Sequence, residues 1–309
     1  MVVPVYIPGD DVPDELGYFA DAVRILELCL DSLALTSGAE TRVTVVANGC
    51  RAEVVDVLSA RQRAGSIDQL VVSHDNLGKV DGFLVGARGS WEPVVVVSDA
   101  DVLWRPGWPR ALTEILAAFP ECGVVGAAPL PNLAAYATSA TVLEATARRV
   151  IGRRTVVDPD DLDRFARSVG NATLFDRYRE DQLVVQRSGV TALVGAGHFA
   201  CGFRRAALDD VAPGPCLGLE KESLDYPLDG AGWWRLATPR AFAWHMGNVV
   251  ESWMEEELDA LRSASGPDRG AVELPVVDRG RPSRLGVLPV GLRERVAVRL
   301  GPRISPKIS

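Results

Sequence analysis

The chain has 309 residues, 47 % of them hydrophobic and 24 % charged, and its 33 basic and 41 acidic side chains leave a formal net charge of −8. That composition suits a globular enzyme with a sizeable core and excludes a disordered, collagen-like or coiled-coil chain. The acidity speaks against nucleic acid as a partner, and no apolar run reaches the ~18 residues of a spanning helix.

The first residues, Met1-Val2-Val3-Pro4-Val5-Tyr6-Ile7-Pro8, carry no basic leader and run at once into Asp10, Asp11, Asp14 and Glu15, so a cytoplasmic protein is expected. Cys29, Cys50, Cys122, Cys201 and Cys216 are odd in number and never spaced Cys-x-x-Cys, which points to reduced, mostly buried thiols. Through residue 127 strand-like and helix-like patterns alternate. Strands are predicted at 2–7, 42–47, 69–73, 93–97 and 123–127. Helices are predicted around 19–33, at 52–64, 80–88 and 108–119. Apolar strands alternating with helices imply a mainly parallel sheet covered on both faces. Residues 128–265 form a second half, in which 129–190 reads as a helical insertion with helices at 141–150 and 159–169. A Pro/Gly-rich stretch at 266–289 reads as a linker or poorly ordered arm.

Charge is uneven along the chain. From Arg279 onward eight basic residues face one acid, Glu294, a net of +7, so the remainder carries −15. The segment from Val290 to Leu300 fits a short basic amphipathic helix, which suits either contact with anionic lipid or a solvated tail.

In open parallel sheets, ligands bind beyond the carboxyl ends of the strands. Here those positions hold Pro8-Gly9-Asp10, Asn48-Gly49, His74-Asp75-Asn76 and Ser98-Asp99-Ala100-Asp101, so polar groups gather on one edge. The first turn is acidic and lacks Gly-x-Gly-x-x-Gly, which argues against a dinucleotide. Gly78-Lys79-Val80 lacks the rest of a Walker loop. If extended backbone persists past Val97, Asp99 and Asp101 project to the same side. Two carboxylates 4 Å apart repel by ~1 kcal/mol in water and ~4 kcal/mol at an effective dielectric near 20, so the pair needs a cation. Hard oxygen ligands with open positions suit Mn²⁺ or Mg²⁺ shared with substrate phosphates.

These segments, with Asn76-Leu77-Gly78-Lys79, Gly202-Phe203-Arg204-Arg205 and the late His245, resemble glycosyltransferases of the GT-A fold, most closely family 2, over about residues 1–250. The resemblance implies a Rossmann-like α/β sheet with an acceptor-side C-terminal half. It places Asp99 and Asp101 near a metal and the donor diphosphate, Asn48 where the family usually has an Asp at the nucleotide base, and Lys79 near the donor. Pro8, Asn76 and His198 are further donor-side candidates, and His245 is a candidate metal ligand. Family members commonly carry a Glu-Asp pair on the acceptor side. In its place stand Glu222 and Asp225 as candidate bases, with Glu220 third. Arg204 and Arg205 are weaker candidates, and core packing is the better reading for most tryptophans.

The expected protein is therefore a metal-dependent, inverting glycosyltransferase. It moves one sugar from a nucleotide-diphosphate donor to a hydroxyl acceptor, whether saccharide, lipid-linked or small molecule, with possible peripheral membrane contact through the tail. Rival readings are a sugar-phosphate nucleotidyltransferase, which the acidic first turn disfavours, and a non-catalytic nucleotide-sugar-binding relative that has lost its base.

Overall fold

A computed structural model describes residues 1–9, 14, 17–211, 220–264, 274–287 and 289–300. The acidic run at 10–13, Glu15, Cys216, much of the expected linker, Arg303 and Lys307 lie outside the described residues.

The alternation expected from sequence is present. In chain order come β1 (Val2–Val5), α1 (Ala22–Thr36), β2 (Thr44–Asn48), α2 (Ala52–Arg63), β3 (Gln69–Ser73), α3 (Lys79–Arg88) and β4 (Val94–Ser98). β5 (Val102–Trp104), α4 (Trp108–Ala118) and β6 (Cys122–Gly126) complete the N-terminal half. The second half contributes α5 (Ser139–Ala147), β7 (Ile151–Arg154), α6 (Pro159–Ser168), β8 (Gln182–Arg187), β9 (Val190–Val194), β10 (Ala200–Arg204) and α7 (Arg205–Asp209). It closes with α8 (Tyr226–Ala231), β11 (Trp234–Ala237), β12 (Ala243–His245), α9 (Ser252–Ser263) and α10 (Val290–Leu300).

Ten strands form one sheet in the order β3-β2-β1-β4-β10-β6-β11-β9-β8-β7. The ladders joining β3, β2, β1 and β4, and β6 with β11, are parallel; β10 runs against both its neighbours, and β9, β8 and β7 extend the sheet antiparallel. Adjacent residues of the central strands feed opposite cores. Val45, Ala47 and Val96 pack beneath α1, α2 and α4, whereas Val46, Val95 and Val97 pack against α3 and α7. Burial on both faces is why these strands read as unbroken apolar runs. Gly86 lets α3 press onto the sheet, since a Cβ there would lie 2.6 Å from Val2 Cγ1.

Two expectations from the sequence need correction. The stretch 129–190 is not solely helical: besides α5 and α6 it supplies β7, β8 and the start of β9, and the sheet runs continuously from one half into the other. The described part of the C-terminal segment is no loose arm or wholly solvated tail. Arg281 N–H donates to the Pro120 carbonyl, Ser283 N–H donates to that of Gly232, and the fully buried Arg293 caps α8 through the carbonyls of Asp229 (2.8 Å) and Gly230 (3.0 Å). A cation on the orphan carbonyls of a helix end satisfies both their hydrogen bonding and the helix dipole. No helix among the described residues is long and apolar enough to cross a membrane.

Candidate active site

The strand order reverses between β1 and β4, and in open α/β sheets ligands bind beyond the carboxyl ends of the strands at such a switch point. β4 delivers Asp99 and Asp101 there, but not along an extended strand as the sequence spacing suggested. The strand ends at Ser98 and the backbone turns through Ala100 and Asp101 into β5. Buried hydrogen bonds fix that turn: Asp99 N–H to Phe199 O (2.7 Å), Ser98 Oγ to Asp99 O (2.8 Å), Trp104 Nε1 to Ser98 Oγ (3.0 Å) and Trp104 N–H to Ser32 Oγ (3.0 Å). β5 then pairs with β12, which sets His245 opposite Val102 and brings His245 Nε2 to 3.3 Å from Asp101 Oδ2.

Lys79 arrives from the opposite wall as the first residue of α3, aimed by a rigid loop. Asn48 at the end of β2 donates from Nδ2 to Asn76 Oδ1 and to Gly78 O, both at 3.1 Å, and accepts from Leu77 N–H at 2.8 Å. Asn76 Oδ1 also accepts from Gly78 N–H (2.8 Å), and Gly78 holds φ of +82°, a conformation that favours glycine. The amides of Asn48 and Asn76, expected at the donor, thus hold the loop that positions Lys79. Pro8 is buried at the end of the β1 segment.

Lys79 Nζ lies 2.7 Å from Asp99 Oδ1 and 3.2 Å from Glu220 Oε1. Burial opposes its charge, but the two flanking carboxylates outweigh that and raise its pKa. Burial, reinforced by Asp101 against the pull of Lys79, lifts the Asp99 carboxyl to about 6. Glu220 shifts down because Lys79 overcomes its own desolvation. Desolvation likewise works against the charge of His245, yet its hydrogen bond and charge interaction with Asp101 raise its pKa. Its Nδ1 sits 3.2 Å from Ser168 Oγ.

Behind this group lies a buried cluster. Asp225, 1 % exposed, is ion-paired with the equally buried Arg235, whose Nη2 also donates to Ala196 O at 2.8 Å. His198, in the loop from β9 to β10, places Nε2 2.9 Å from Asp225 Oδ2 and packs edge-on against Tyr136. Burial would raise the Asp225 pKa, but His198, Arg235 and Tyr136 together hold it below the usual carboxylate range. A general base working at neutral pH is favoured by the opposite shift. Glu222 is exposed, facing solvent, and the carboxylate brought to the Lys79–Asp99 pair is Glu220, the third choice from sequence.

The other arginine candidates are structural. Arg204 is buried and donates to the carbonyls of Leu116, Cys122 and Asp278; Arg205 donates to those of Ala87 and Glu92. Trp233 and Trp234 are core residues, and Arg164 and Arg105 cover Trp244 at 3.8 and 4.2 Å from its ring centre. Arg235 escaped the sequence reading, although a charged residue in Trp233-Trp234-Arg235-Leu236-Ala237 signals a buried partner.

The donor set is hard oxygen plus one imidazole. Asp101 Oδ1 is buried with no hydrogen-bond partner, an orphan acceptor a cation would satisfy. Among the described residues no three His, Cys, Asp or Glu side chains stand close enough to hold a metal unaided. The residues therefore fit an ion completed by substrate oxygens, not a closed protein cage.

The mixed, mostly parallel sheet flanked by helices is of the GT-A type, with Asp99 and Asp101 at its switch point. The sequence profile described as "Glycosyltransferase like family 2" matches residues 20–263, and the chain belongs to that family. No curated protein matches significantly. Solved structures of similar shape include TarS of S. aureus, with a TM-score of 0.45 and 11 % identity over 83 % of this chain and 37 % of that one. The chain thus spans little over a third of TarS. The mannosyltransferase PcManGT of Pyrobaculum calidifontis, solved with GDP-Man and Mn²⁺, gives a TM-score of 0.44 and 13 % identity over 96 % and 72 %. TarS 1–349 with UDP gives 0.41 and 12 % over 84 % and 62 %.

Proposed function

We propose that the protein transfers a single sugar, with inversion, from a nucleotide-diphosphate donor to a hydroxyl acceptor. The observation that carries this is the convergence of Asp99, Asp101, Lys79 and His245 at the switch point of a family 2 chain. Asp99 and Asp101, with His245 beside them, would hold Mn²⁺ or Mg²⁺, which when bound offsets negative charge growing on the leaving nucleotide diphosphate. Lys79, held between Asp99 and Glu220, donates to a diphosphate oxygen. On the acceptor side Asp225 and Glu220 are both held below the usual carboxylate range. The residue able to take the hydroxyl proton is His198, 28 % exposed and backed by buried Asp225. Asp225, fixed by Arg235, orients the imidazole and stabilises it once protonated, while the acceptor oxygen attacks the anomeric carbon opposite the leaving group. A base need only come within ~2.6–3.2 Å of that hydroxyl.

A thermal-shift screen of UDP-, GDP- and dTDP-sugars with and without Mn²⁺ tests this reading. At 100 times its dissociation constant a ligand of the folded state adds ~2.7 kcal/mol, so one donor should raise the melting midpoint by several degrees only when Mn²⁺ is present. No shift with any donor would refute it.

Peripheral membrane contact belongs to the same proposal. Leu292, Arg295, Val296 and Arg299 follow helical spacing on one side of α10 and are all exposed, the two apolar ones by 51 % and 38 %. Juxtamembrane basic residues contribute ~1 kcal/mol each at an anionic surface. The chain should therefore float with phosphatidylglycerol vesicles and not with phosphatidylcholine ones, and the R295E/R299E double variant should stay in the aqueous fraction. Equal flotation of variant and parent would count against it.

A further inference from the structure

On the acceptor side of the sheet a cavity of about 550 Å³ has no part in the chemistry above. Its volume falls in the ~300–1,000 Å³ range of small-molecule pockets. The short helical turn Pro131–Ala135 and the start of α5 form one wall, β7 and β8 another, and α10 covers it through Glu294 and Ala297. Room exists because Ala134, Ala135 and Ala137 stand where larger side chains would close it. Tyr226 lines it too, and its ring lies 5.9 Å from that of Tyr136, which in turn is 6.2 Å from His198. The cavity therefore adjoins the side of the centre where an acceptor would enter.

Its polar groups select the ligand. The hydroxyls of Thr138 and Ser139 are already engaged, on Ala134 O and Asp229 Oδ2. Arg153 is paired with Asp181 at 2.6 Å, so Glu294 leaves the lining with one net negative charge. Phosphate- or carboxylate-bearing ligands are repelled, while a neutral hydroxylated ring finds acceptors in Asp181 and Glu294 and aromatic surface from Tyr178 and Tyr226.

We infer that this cavity is a carbohydrate subsite, roofed by the C-terminal helix, that holds a neutral saccharide of roughly one or two rings. Its service to transfer, as the seat of the non-reacting part of the acceptor, rests on the function proposed above.

Saturation-transfer NMR on the full chain, without donor or metal, reads this directly. The probes are methyl mannoside, methyl glucoside, maltose and cellobiose, with glucose 6-phosphate as the anionic control and toluene as the apolar one. At least one neutral saccharide should receive magnetisation and both controls should not. Ala135→Trp, which fills the space from an exposed position, and Glu294→Leu, which keeps much of the bulk but removes the acceptor, should each weaken the effect ~10-fold or more while the melting midpoint stays near the parent's. Silence from every neutral saccharide, a preference for either control, or saccharide signals that both variants preserve would overturn the inference. Failure of the donor and Mn²⁺ screen would leave this result standing, and failure here would leave the transfer reading intact, so the two are told apart.

Discussion

Asp101→Ala is expected to lower Mn²⁺-dependent hydrolysis of the donor, with water as acceptor, by at least ~10²-fold, the scale of losing one preorganised charge-stabilising group. The residue has two attachments in the structure. Its backbone carbonyl accepts from Met246 N–H at 2.8 Å, which ties β12 to the turn, and its side chain meets His245. Alanine preserves the first and removes the second, so the fold should survive while the carboxylate proposed to hold the metal and the partner that raises the His245 pKa are both lost. The melting midpoint of the unliganded variant should therefore lie close to the parent's, and the Mn²⁺-dependent donor shift should vanish. Hydrolysis at the parent's rate would contradict the role.

His198→Ala should cost ~10²–10⁴-fold in the same assay, the usual worth of a positioned general base. The expectation follows from the order of burial. Asp225 and Arg235 are each 1 % exposed and locked together, so neither can reach a hydroxyl, whereas the imidazole in front of them is accessible and hydrogen-bonded on one nitrogen. Asp225→Asn should lose much of the same activity, because the carboxamide keeps the shape but not the charge that orients and stabilises the ring. Added imidazole should restore part of the activity of His198→Ala and none of that of Asp101→Ala, a readout that a purely structural histidine would not give. Undiminished hydrolysis by His198→Ala would remove it from the mechanism.

The N-terminal sheet was legible in the sequence because burial on both faces writes itself as apolar runs, as in Val94-Val95-Val96-Val97, and α3 and α4 followed from helical periodicity. Past residue 128 that signal weakens. β7 reads Ile151-Gly152-Arg153-Arg154, with its arginines only partly buried, and β8 is bounded by Gln182 and Arg187, so neither carries a pattern that distinguishes a strand from a loop. The site divides the same way. Position after the fourth strand put Asp99 and Asp101 at the sheet edge, and the family resemblance offered His245, although the turn that joins the two acids was not foreseen. The Asp225–Arg235 pair, the use of Asn48 and Asn76 as loop supports, and the approach of Glu220 to Lys79 depend on contacts between distant segments, which local spacing does not encode. The docking of the C-terminal segment was hidden for the same reason: Arg293 looks like tail charge in the sequence, and only the fold shows it capping α8.

The central claim is that the acidic turn after β4 binds a donor pyrophosphate through a divalent ion. Anomalous scattering at the manganese edge, from crystals grown with Mn²⁺ and the donor selected by thermal shift, tests it most directly. One strong manganese peak beside Asp99 and Asp101, next to the bound donor, is the expected result. A well-ordered donor lying elsewhere, or bound in that crevice with no anomalous peak beside Asp99 and Asp101, would contradict it.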